Sequence, residues 1–418
     1  MGAREVTVLG AGVVGVASAC WLQSDGHRVT LVDRAEPGEA TSSGNAGILS
    51  PGSVVPVAMP GLLAKVPGWL MDPAAPLSLR WQYLPQAAPW LLRFLLASRR
   101  SRVERIADAL RPLLGGTFDA WGRLARAAGC SDLINPSGYM AVYESEAAWQ
   151  SDALAWSLRR ERGVRLEPLD AAAIRELDPD LAPIYPRGVL LPEQGHVANP
   201  LWLTRRLFAH FLASGGRFER LQVEDFEPGP RGPRALLGSG RRLPAETLVL
   251  AAGVHSARLA ARLGTSVPLE SQRGYHVHFP EPGIAPRMPV MSGEFKFFVT
   301  PMADGLRNAG TVEIAGLDAP PTAARIEALV RHTRRMYPRV NMDGMREWMG
   351  HRPCTPDSLP VIGRATGCPD VFLAFGHGHT GLCGAAPTAR LIADLVAGRT
   401  PFIDPEPYRP TRFRMLAR

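Results

Sequence analysis

Val6-Thr-Val-Leu-Gly10-Ala-Gly-Val-Val-Gly15 is the stretch that decides the fold of this 418-residue chain. Its first residues are typical of a buried strand, which leads directly into a Gly-x-Gly-x-x-Gly turn and an apolar segment ending near Ser24. A second apolar run then ends at Asp33. The order of strand, glycine turn, helix and strand with a terminal acid predicts a βαβ unit that binds a dinucleotide.

Each glycine of this turn has a separate physical reason to be there. Gly10 would permit the tight turn, Gly12 would let the backbone approach a pyrophosphate, and Gly15 would let the helix pack closely on the strand. The helix N-terminus would attract the phosphates through its N–H groups and its dipole. Asp33 would accept hydrogen bonds from an adenosine ribose and would repel a 2′-phosphate, which disfavours NADP.

Three later segments bear on whether the dinucleotide is NAD or FAD, which share this half-site. The small polar loop Thr41-Ser-Ser-Gly-Asn-Ala-Gly47 could present backbone N–H groups to a group extending beyond the pyrophosphate. The apolar strand starting at Thr247 returns to small residues at Gly253, as if it ran beneath the same cofactor. Gly376-His-Gly-His-Thr-Gly381 opens the last helix and could direct its dipole at a second electron-rich group.

The composition, with 46% hydrophobic and 21% charged residues, is that of an ordinary globular protein. The net charge of +8 comes from arginine, because only two of the 47 basic residues are lysines, and no nucleic-acid motif accompanies it. We therefore predict no nucleic-acid partner. The five cysteines include no CxxC pair and are expected to be free thiols in a reducing compartment.

No apolar window is long enough to span a membrane, and the first strand leaves no room for a signal peptide, so we expect a cytoplasmic protein. The Trp/Leu/Phe-rich stretch Trp81 to Arg111 contains Arg99, Arg100 and Arg102. It could contact the inner face of the cell membrane peripherally. An ordinary packed helix with a solvated basic face is an equally good interpretation of this stretch.

Along the chain, the hydrophobic periodicity predicts an α/β (α+β) fold. Beyond the βαβ unit we expect an ordered connecting segment over 56–90, helices over 88–162 interrupted by a strand at 138–143, a strand at 189–191, and a helix over 200–214. A strand meander over 218–250, strands at 275–279 and 297–300, and helices over 323–336 and 384–397 follow. We predict a discontinuous Rossmann-like FAD-binding domain (1–80, 188–265 and 350–418) and an inserted mixed-sheet and helical substrate-binding domain (81–187 and 266–349).

The combination of motifs resembles the D-amino acid oxidase superfamily of FAD-dependent oxidoreductases, and most closely the bacterial D-amino acid dehydrogenase small-subunit type. The resemblance covers nearly the whole chain. Besides the glycine turn and the 41–47 loop, it rests on Gly274-Tyr275, on Gly350-His-Arg-Pro-x-Thr-Pro-Asp357 with Pro360-Val-Ile-Gly363, and on Gly376-His-Gly-x-x-Gly381. The sequence departs from the family pattern at Arg273, where lysine is common, and at Pro387 in the final helix.

The resemblance implies a non-covalently bound FAD that lies extended across its domain. The adenosine ribose would lie on Asp33 and Arg34, the adenine at Val223, the flavin N5 edge near Gly47 and Ile48, and the N1 and O2 edge near Thr380 to Leu382. The implied cofactor-binding residues are Gly10, Gly12, Val13, Val14, Gly15, Asp33, Arg34, Thr41, Ser42, Asn45, Ala46, Gly47, Ile48, Val223, Ala252, Gly253, Gly350, Gly378, Thr380, Gly381 and Leu382.

For the substrate, the resemblance selects Arg352 as the guanidinium that binds a carboxylate, since this planar fork matches carboxylate geometry. Tyr275 would lie near the same carboxylate or over the flavin, or would be a half-buried strand tyrosine. His377 is a third catalytic candidate, although a histidine flanked by glycines more often bonds backbone. The pair His377 and His379 has no neighbouring CxxC or carboxylate spacing, so we predict no metal site.

The resemblance thus implies oxidative deamination of small D-amino acids by hydride transfer to flavin N5. The products are a 2-oxo acid and ammonia, and the electrons pass to a quinone or respiratory carrier. Oxidation of another small or cyclic amine, such as glycine, sarcosine, proline or D-hydroxyproline, stays open, alone or as a subunit of a larger complex. A catalytically silent FAD-binding or tRNA-modifying module is the alternative from a different class.

Overall fold

The glycine turn joins the first two strands and the first helix of the chain. In the computed structural model, which describes residues 2–61 and 77–416 (without the side chains of 414–416), β1 is Glu5–Leu9, α1 is Val13–Ser24 and β2 is Arg28–Asp33. Gly10 adopts a φ of +113°, which strongly favours glycine. β1 and β2 pair in parallel with Val8 opposite Leu31, so the predicted βαβ unit is confirmed.

A six-stranded sheet extends this unit in the order β10-β2-β1-β14-β21-β20. All neighbours are parallel except the edge pair β20 and β21. Because the carboxyl ends of parallel strands meet at one edge, the turn after β1 lies beside the residues that follow β14 and β21. The added strands are β10 (Arg217–Arg220), β14 (Thr247–Leu250), β20 (Val361–Ala365) and β21 (Cys368–Phe375).

A nine-stranded mixed sheet forms the second layer, in the order β19-β15-β18-β17-β16-β6-β8-β7, with β4 paired to β18. Two small three-stranded sheets, β3-β9-β5 and β11-β12-β13, complete the described strands. The strands of the large sheet are β4 (Leu77–Leu79), β6 (Tyr139–Tyr143), β7 (Glu167–Asp170), β8 (Arg187–Leu191), β15 (Glu270–Phe279), β16 (Val290–Ser292), β17 (Phe298–Met302), β18 (Gly305–Ile314) and β19 (Arg346–Cys354). Those of the small sheets are β3 (Ile48–Leu49), β5 (Ile134–Asn135), β9 (Gly195–Val197), β11 (Asp225–Glu227), β12 (Ala235–Gly238) and β13 (Arg241–Pro244).

Helices pack on the sheets, and the apolar helix α1 packs against two other helices. The described helices after α1 are α2 (Leu84–Ala97), α3 (Arg100–Gly115), α4 (Thr117–Ala127), α5 (Glu146–Ser151), α6 (Ala153–Glu161), α7 (Ala171–Leu177), α8 (Pro200–Ala213), α9 (Ser256–Arg262), α10 (Ala323–Met336) and α11 (Gly381–Ala397). α1 packs on α8 and α11, and their buried side chains belong to one core cluster. The predicted helices over 200–214 and 323–336 are confirmed.

Two sequence-based expectations need correction. The segment 218–250 is not one meander, because β10 and β14 join the parallel sheet and only β11 to β13 form antiparallel pairs. The last helix begins at Gly381 instead of Gly384 and continues through Pro387. Pro387 is the seventh residue of the helix and has no N–H to donate to the carbonyl of Cys383 one turn earlier.

The predicted α/β fold is confirmed, whereas the domain boundaries stay a prediction. Strands β4 and β8 fall inside segments predicted to bind FAD, yet both pair in the nine-stranded sheet. Of the predicted connecting segment 56–90, residues 62–76 lie outside the described residues. None of the described helices is long and apolar enough to cross a membrane.

Candidate active site

A large cavity of about 1070 Å³ passes from the glycine turn to the nine-stranded sheet. Its walls come from the ends of β1, β2, β14 and β21, from the 41–48 loop, and from strands β18 and β19. This volume is at the upper limit for sites that bind small molecules and cofactors, and it lies at the carboxyl edge of a parallel sheet, where open α/β folds bind ligands.

Close backbone packing shapes the glycine-turn end of this cavity. A Cβ atom on Gly15 would lie 1.7 Å from the carbonyl oxygen of Gly10, and one on Gly10 would lie 2.3 Å from the carbonyl oxygen of Ala251. The Val13 N–H donates to Ser42 Oγ at 3.0 Å, which ties the 41–48 loop to the start of α1. The first turn of α1 contains no acidic residue, so its positive end is available to an anionic pyrophosphate.

Asp33 holds the turn together as well as facing the cavity. One carboxylate oxygen accepts the Ala11 N–H at 2.6 Å and the other accepts the Ala35 N–H at 3.0 Å. Each oxygen has two lone pairs, so the carboxylate can still accept bonds from hydroxyl groups in the cavity. Arg34 lies 3.1 Å from His255 through Nη2 and Nε2, and both residues line the cavity beside Asp33.

The 41–48 loop is fixed by side chains from the other sheet. Buried Arg307 on β18 donates through Nη1 to the carbonyls of Ser43 (2.9 Å) and Asn45 (2.7 Å), and burial lowers its pKa to about 10. The Gly47 N–H donates to Asn45 Oδ1 at 2.8 Å, and Gly47 has a φ of +80°. Sequence reasoning missed Arg307, because nothing in the sequence pairs it with a loop more than 260 residues away.

His276 and Trp348 close the same loop from the sheet. Their rings stack with centroids 5.1 Å apart, and His276 Nδ1 lies 3.1 Å from the Gly44 carbonyl oxygen. A Cβ on Gly44 would lie 2.3 Å from the Trp348 ring, so only glycine fits there. The small residues of the predicted loop are therefore explained by contacts with the nine-stranded sheet as well as by the cavity.

The N-terminus of α11 forms the opposite wall. A 3₁₀ turn over Gly378–Thr380 leads into the helix, and Gly378 (φ +52°), Thr380, Gly381 and Leu382 all line the cavity. His377 Nε2 lies 2.9 Å from Thr388 Oγ1, and His379 Nε2 lies 3.0 Å from Gln272 Oε1. Burial lowers the pKa of His377 to about 4 and that of His379 to about 3, so both rings are neutral at physiological pH.

Arg352 provides a cation at the substrate end. Its Nη1 donates to the Thr311 carbonyl at 2.9 Å and its Nη2 to the Gly310 carbonyl at 3.4 Å. The guanidinium lies over Gly274, where a Cβ would be only 2.2 Å from Cζ. Among the described residues, no carboxylate pairs with Arg352, and desolvation lowers its pKa. Thr311 reaches this position with a φ of +57°, an uncommon conformation for a β-branched residue.

Tyr275 and Arg273 point away from the cavity. The Tyr275 hydroxyl donates to Glu313 Oε2 and accepts the Thr322 N–H at 3.1 Å. Fully buried Arg273 pairs with the same carboxylate at 3.2 Å. Burial alone would raise the pKa of Glu313, but these hydrogen bonds and cations outweigh it and hold that pKa below its usual value. The structure therefore does not bring Tyr275 to the cavity wall.

The other predicted site residues converge on one cavity. Of all the predicted site residues, only Gly15, Gly47 and Tyr275 do not line it. Gly15 and Gly47 act through backbone packing. Cys383 also lines the cavity, where burial raises its pKa to about 11, so it is a thiol. In the part of the chain that the structure describes, no cluster of His, Cys, Asp or Glu side chains could hold a metal ion.

The residues present fit an extended FAD. A pyrophosphate matches the start of α1, whose N-cap Gly12 has no side chain, and a ribose matches Asp33. An electron-rich ring system matches the start of α11, which lines the same cavity. A Cβ atom added to Gly10 would collide with Ala251, so packing alone requires glycine at this position. A Cβ atom added to Gly12 would meet only Ser42 Oγ, at 3.2 Å, and Gly12 borders the cavity. The Gly12 backbone can therefore approach a phosphate.

Comparisons with known proteins agree with this geometry. The family model of DAO, described as FAD dependent oxidoreductase, matches residues 5–395. A D-amino-acid oxidase of Bradyrhizobium diazoefficiens is 43% identical, with 98% of this chain and 99% of that protein covered. A D-amino acid dehydrogenase of Paramagnetospirillum magneticum is 34% identical over 94% of this chain and 95% of that protein.

Among solved structures, a glycine oxidase from Geobacillus kaustophilus superimposes with a TM-score of 0.73 at 22% identity, with 98% of this chain and 99% of that chain covered. This similarity concerns the fold alone. Together with the match to the family model over almost the whole length and the 43% identity, it leads to one conclusion. The chain belongs to the DAO family of FAD-dependent oxidoreductases.

Proposed function

We propose that this protein oxidises D-amino acids to imino acids, which hydrolyse to 2-oxo acids and ammonia. The observation that supports the proposal most strongly is Arg352, a guanidinium at the cavity wall that is anchored by two carbonyls instead of by a carboxylate. Arg352 is half-buried, and desolvation makes a cation without a counter-ion costly unless a ligand supplies one. The carboxylate of an amino acid is such a ligand, and its geometry matches the planar guanidinium.

Arg273 provides an internal contrast. It is fully buried on the adjacent strand β15, but Glu313 neutralises it and it lies outside the cavity wall. Arg273 is thus a buried structural arginine with a carboxylate partner, whereas Arg352, at the cavity wall, has no carboxylate partner among the described residues. This difference favours Arg352 as the carboxylate-binding residue.

When bound, FAD supplies the chemistry of the reaction by accepting a hydride, and the protein supplies binding and orientation. Arg352 would fix the carboxylate and so restrict the rotation of the α-carbon. The substrate loses its α-hydrogen with two electrons and its amine loses one proton, which leaves a C=N bond. Neutral His377 and His379 are engaged with Thr388 and Gln272, so the neutral-amine form of the substrate is the species that reacts.

The preference for the D-configuration is supported by the relatives, since the two most similar proteins cited above are named D-amino-acid oxidase and D-amino acid dehydrogenase. Glycine, sarcosine and proline remain alternative substrates on the same scaffold. Anaerobic reduction of the bound flavin separates these possibilities. We expect matched D-amino acids to bleach the flavin much faster than their L-enantiomers, and equal rates for both would overturn the proposal.

For the electron acceptor, we propose a quinone or another respiratory carrier at the membrane surface. Trp81 is 75% exposed and Leu92 is 61% exposed, with Leu84 between them along the chain. Arg99, Arg100 and Arg102 are exposed just beyond the end of α2. Exposed large apolar side chains next to cations are typical of segments that bind anionic lipid surfaces.

This second proposal is tested with intact protein. We expect flotation with anionic but not with neutral liposomes, and a Trp81→Ser/Leu92→Ser variant should stay in the soluble fraction. A quinone analogue should reoxidise the reduced flavin faster than oxygen does. Rapid reoxidation by oxygen, together with no liposome binding, would make the protein an oxidase like its named Bradyrhizobium relative.

A further inference from the structure

Strand β18 contains a β-bulge at the point where Arg352 is anchored. The register between β15 and β18 shifts between Arg273 and Tyr275, so that two residues of β18 lie opposite one residue of β15. Thr311 is in the bulge and has a φ of +57°, which is uncommon for a β-branched residue. The carbonyls of Gly310 and Thr311 accept the two hydrogen bonds from Arg352. The bulge is therefore the support of the guanidinium.

A carboxylate at the end of the bulge connects it to three other elements. Glu313 is only 2% exposed, and its Oε2 accepts the Tyr275 hydroxyl and pairs with Arg273 at 3.2 Å. These two partners flank the register shift on β15. Its Oε1 accepts Thr322 Oγ1, just before α10, at 2.7 Å and Arg80 Nε, just after β4, at 3.0 Å. Four donors thus hold one side chain and, through it, the bulge.

The carboxylate and the cavity lie on opposite sides of the sheet. The Arg352 guanidinium lies over Gly274 at the cavity wall. Side chains alternate between the two faces of a strand, so Arg273 and Tyr275 point to the other face. Tyr275 packs there in the apolar cluster beneath α10, and neither it nor Glu313 lines the cavity. Glu313 can therefore influence a ligand only through the bulge and Arg352.

We propose that Glu313 is a positioning residue for substrate binding. It fixes the bulge, the bulge places the Gly310 and Thr311 carbonyls, and these carbonyls orient the Arg352 guanidinium. The proposal rests on the proposed function, because it takes Arg352 as the group that binds the substrate carboxylate. A strained backbone conformation such as that of Thr311 persists only where the surrounding structure enforces it, and Glu313 supplies the enforcing contacts. A shift of about 1 Å in a positioning group can lower activity by about 100-fold.

The test uses the intact, FAD-loaded protein with benzoate, a carboxylate that has no amine to oxidise. Binding of benzoate is measured as a perturbation of the flavin absorbance spectrum. Glu313→Gln keeps the shape of the side chain but removes its charge and places an amide N–H against donors. We expect this variant to bind benzoate about 10- to 100-fold more weakly, because the guanidinium is misaligned, and to bind FAD with unchanged affinity.

Three further variants separate positioning from a general structural role. In Arg352→Ala, the addition of Glu313→Gln should cause no further loss of benzoate binding, because the two residues act in series. Asp178→Asn is the matched control: Asp178 is also 2% exposed and accepts the Tyr337 hydroxyl at 2.7 Å. We expect it to lower stability and to leave benzoate binding unchanged. Tyr275→Phe deletes one of the four contacts, should cause a smaller loss, and provides the test if Glu313→Gln does not fold.

The outcomes distinguish the positioning role from the proposed function. Unchanged benzoate affinity in Glu313→Gln and Tyr275→Phe overturns the positioning role, as does a further loss in the double variant or an equal loss in Asp178→Asn; reduction of the flavin by D-amino acids would still uphold the function. If benzoate binding falls as expected but no D-amino acid reduces the flavin, the positioning role stands and the function fails. If the wild-type protein does not bind benzoate, the carboxylate assignment of Arg352 and the positioning role both fail.

Discussion

At the Gly10 to Gly15 end of the cavity, the wall is backbone. The close approach of Gly15 to Gly10 and the hydrogen bond from Ala11 to Asp33 both lie within the first 33 residues of the chain. At the Arg352 end, the wall is made of side chains from strands β15, β18 and β19, which are separated by tens of residues and aligned only by sheet pairing. The first end requires the absence of side chains, and the second requires one particular side chain. The two ends should therefore respond differently to substitution.

The backbone end should show the largest effect. In Gly15→Ala, the new Cβ would lie 1.7 Å from the Gly10 carbonyl oxygen, so α1 must shift away from β1. We expect a loss of about 3 kcal/mol or more in the free energy of unfolding and no retained flavin. Flavin absorbance of the purified protein and chemical unfolding measure the two effects. Gly116→Ala is the matched control, because its Cβ would meet no atom within 4 Å; equal stability of the two variants would contradict the close packing.

At the side-chain end, Arg352→Ala should leave the fold and the flavin content intact while kcat/KM falls about 100- to 1000-fold, the equivalent of about 3 to 4 kcal/mol. The loss should be mainly in KM, because the carboxylate loses its partner. Arg352→Lys should recover only part of the activity, since an ammonium cannot form the bidentate pair. Steady-state kinetics measure this, with exposed Arg364→Ala as the control. An unchanged kcat/KM in Arg352→Ala would remove the carboxylate assignment.

This contrast also explains how much was predictable from the sequence. The βαβ unit is local, so its strands, glycines and terminal acid were identified correctly from periodicity and spacing. Strands β18 and β19 were missed, because their mixed residues show no clear alternation and their pairing is long-range. The family resemblance located Arg352, but it did not indicate on which face of strand β15 the side chain of Tyr275 lies. That face depends on how β15 pairs with β18 and β19, which no sequence signal reports.

Arg307 joins the two ends, and its removal should have an intermediate effect. Arg307→Met keeps most of the buried volume but deletes two hydrogen bonds to the 41–48 loop. We expect FAD to bind about 10- to 100-fold more weakly, since a charge-assisted hydrogen bond contributes about 1.5 to 3 kcal/mol. Titration of the apoprotein with FAD measures the affinity. Arg346→Met, an exposed arginine on the same sheet, should bind FAD normally, and normal binding by both variants would show that Arg307 does not position the loop.

His377 should have the smallest effect on catalysis, despite its place at the cavity wall. Because burial lowers its pKa from 6.5 to about 4, the ring neither gains nor loses a proton between about pH 6 and 10. We therefore expect His377→Gln to leave the pH profile of kcat/KM unshifted, with a change in rate of less than about 3-fold. A displaced acidic limb in the variant would instead identify His377 as an acid–base group.

The same neutral ring predicts an effect on stability, with a definite sign. Between pH 6.5 and about 4, the unfolded chain protonates this imidazole while the folded chain does not, so stability falls as the pH falls. The slope for one histidine is at most about 1.4 kcal/mol per pH unit. In His377→Gln, that contribution is absent, so unfolding free energies of the two proteins should converge as the pH is lowered from 6.5 toward 4. Parallel curves would mean that His377 is already solvated in the folded protein, and the closely packed wall at the start of α11 would then have to be abandoned.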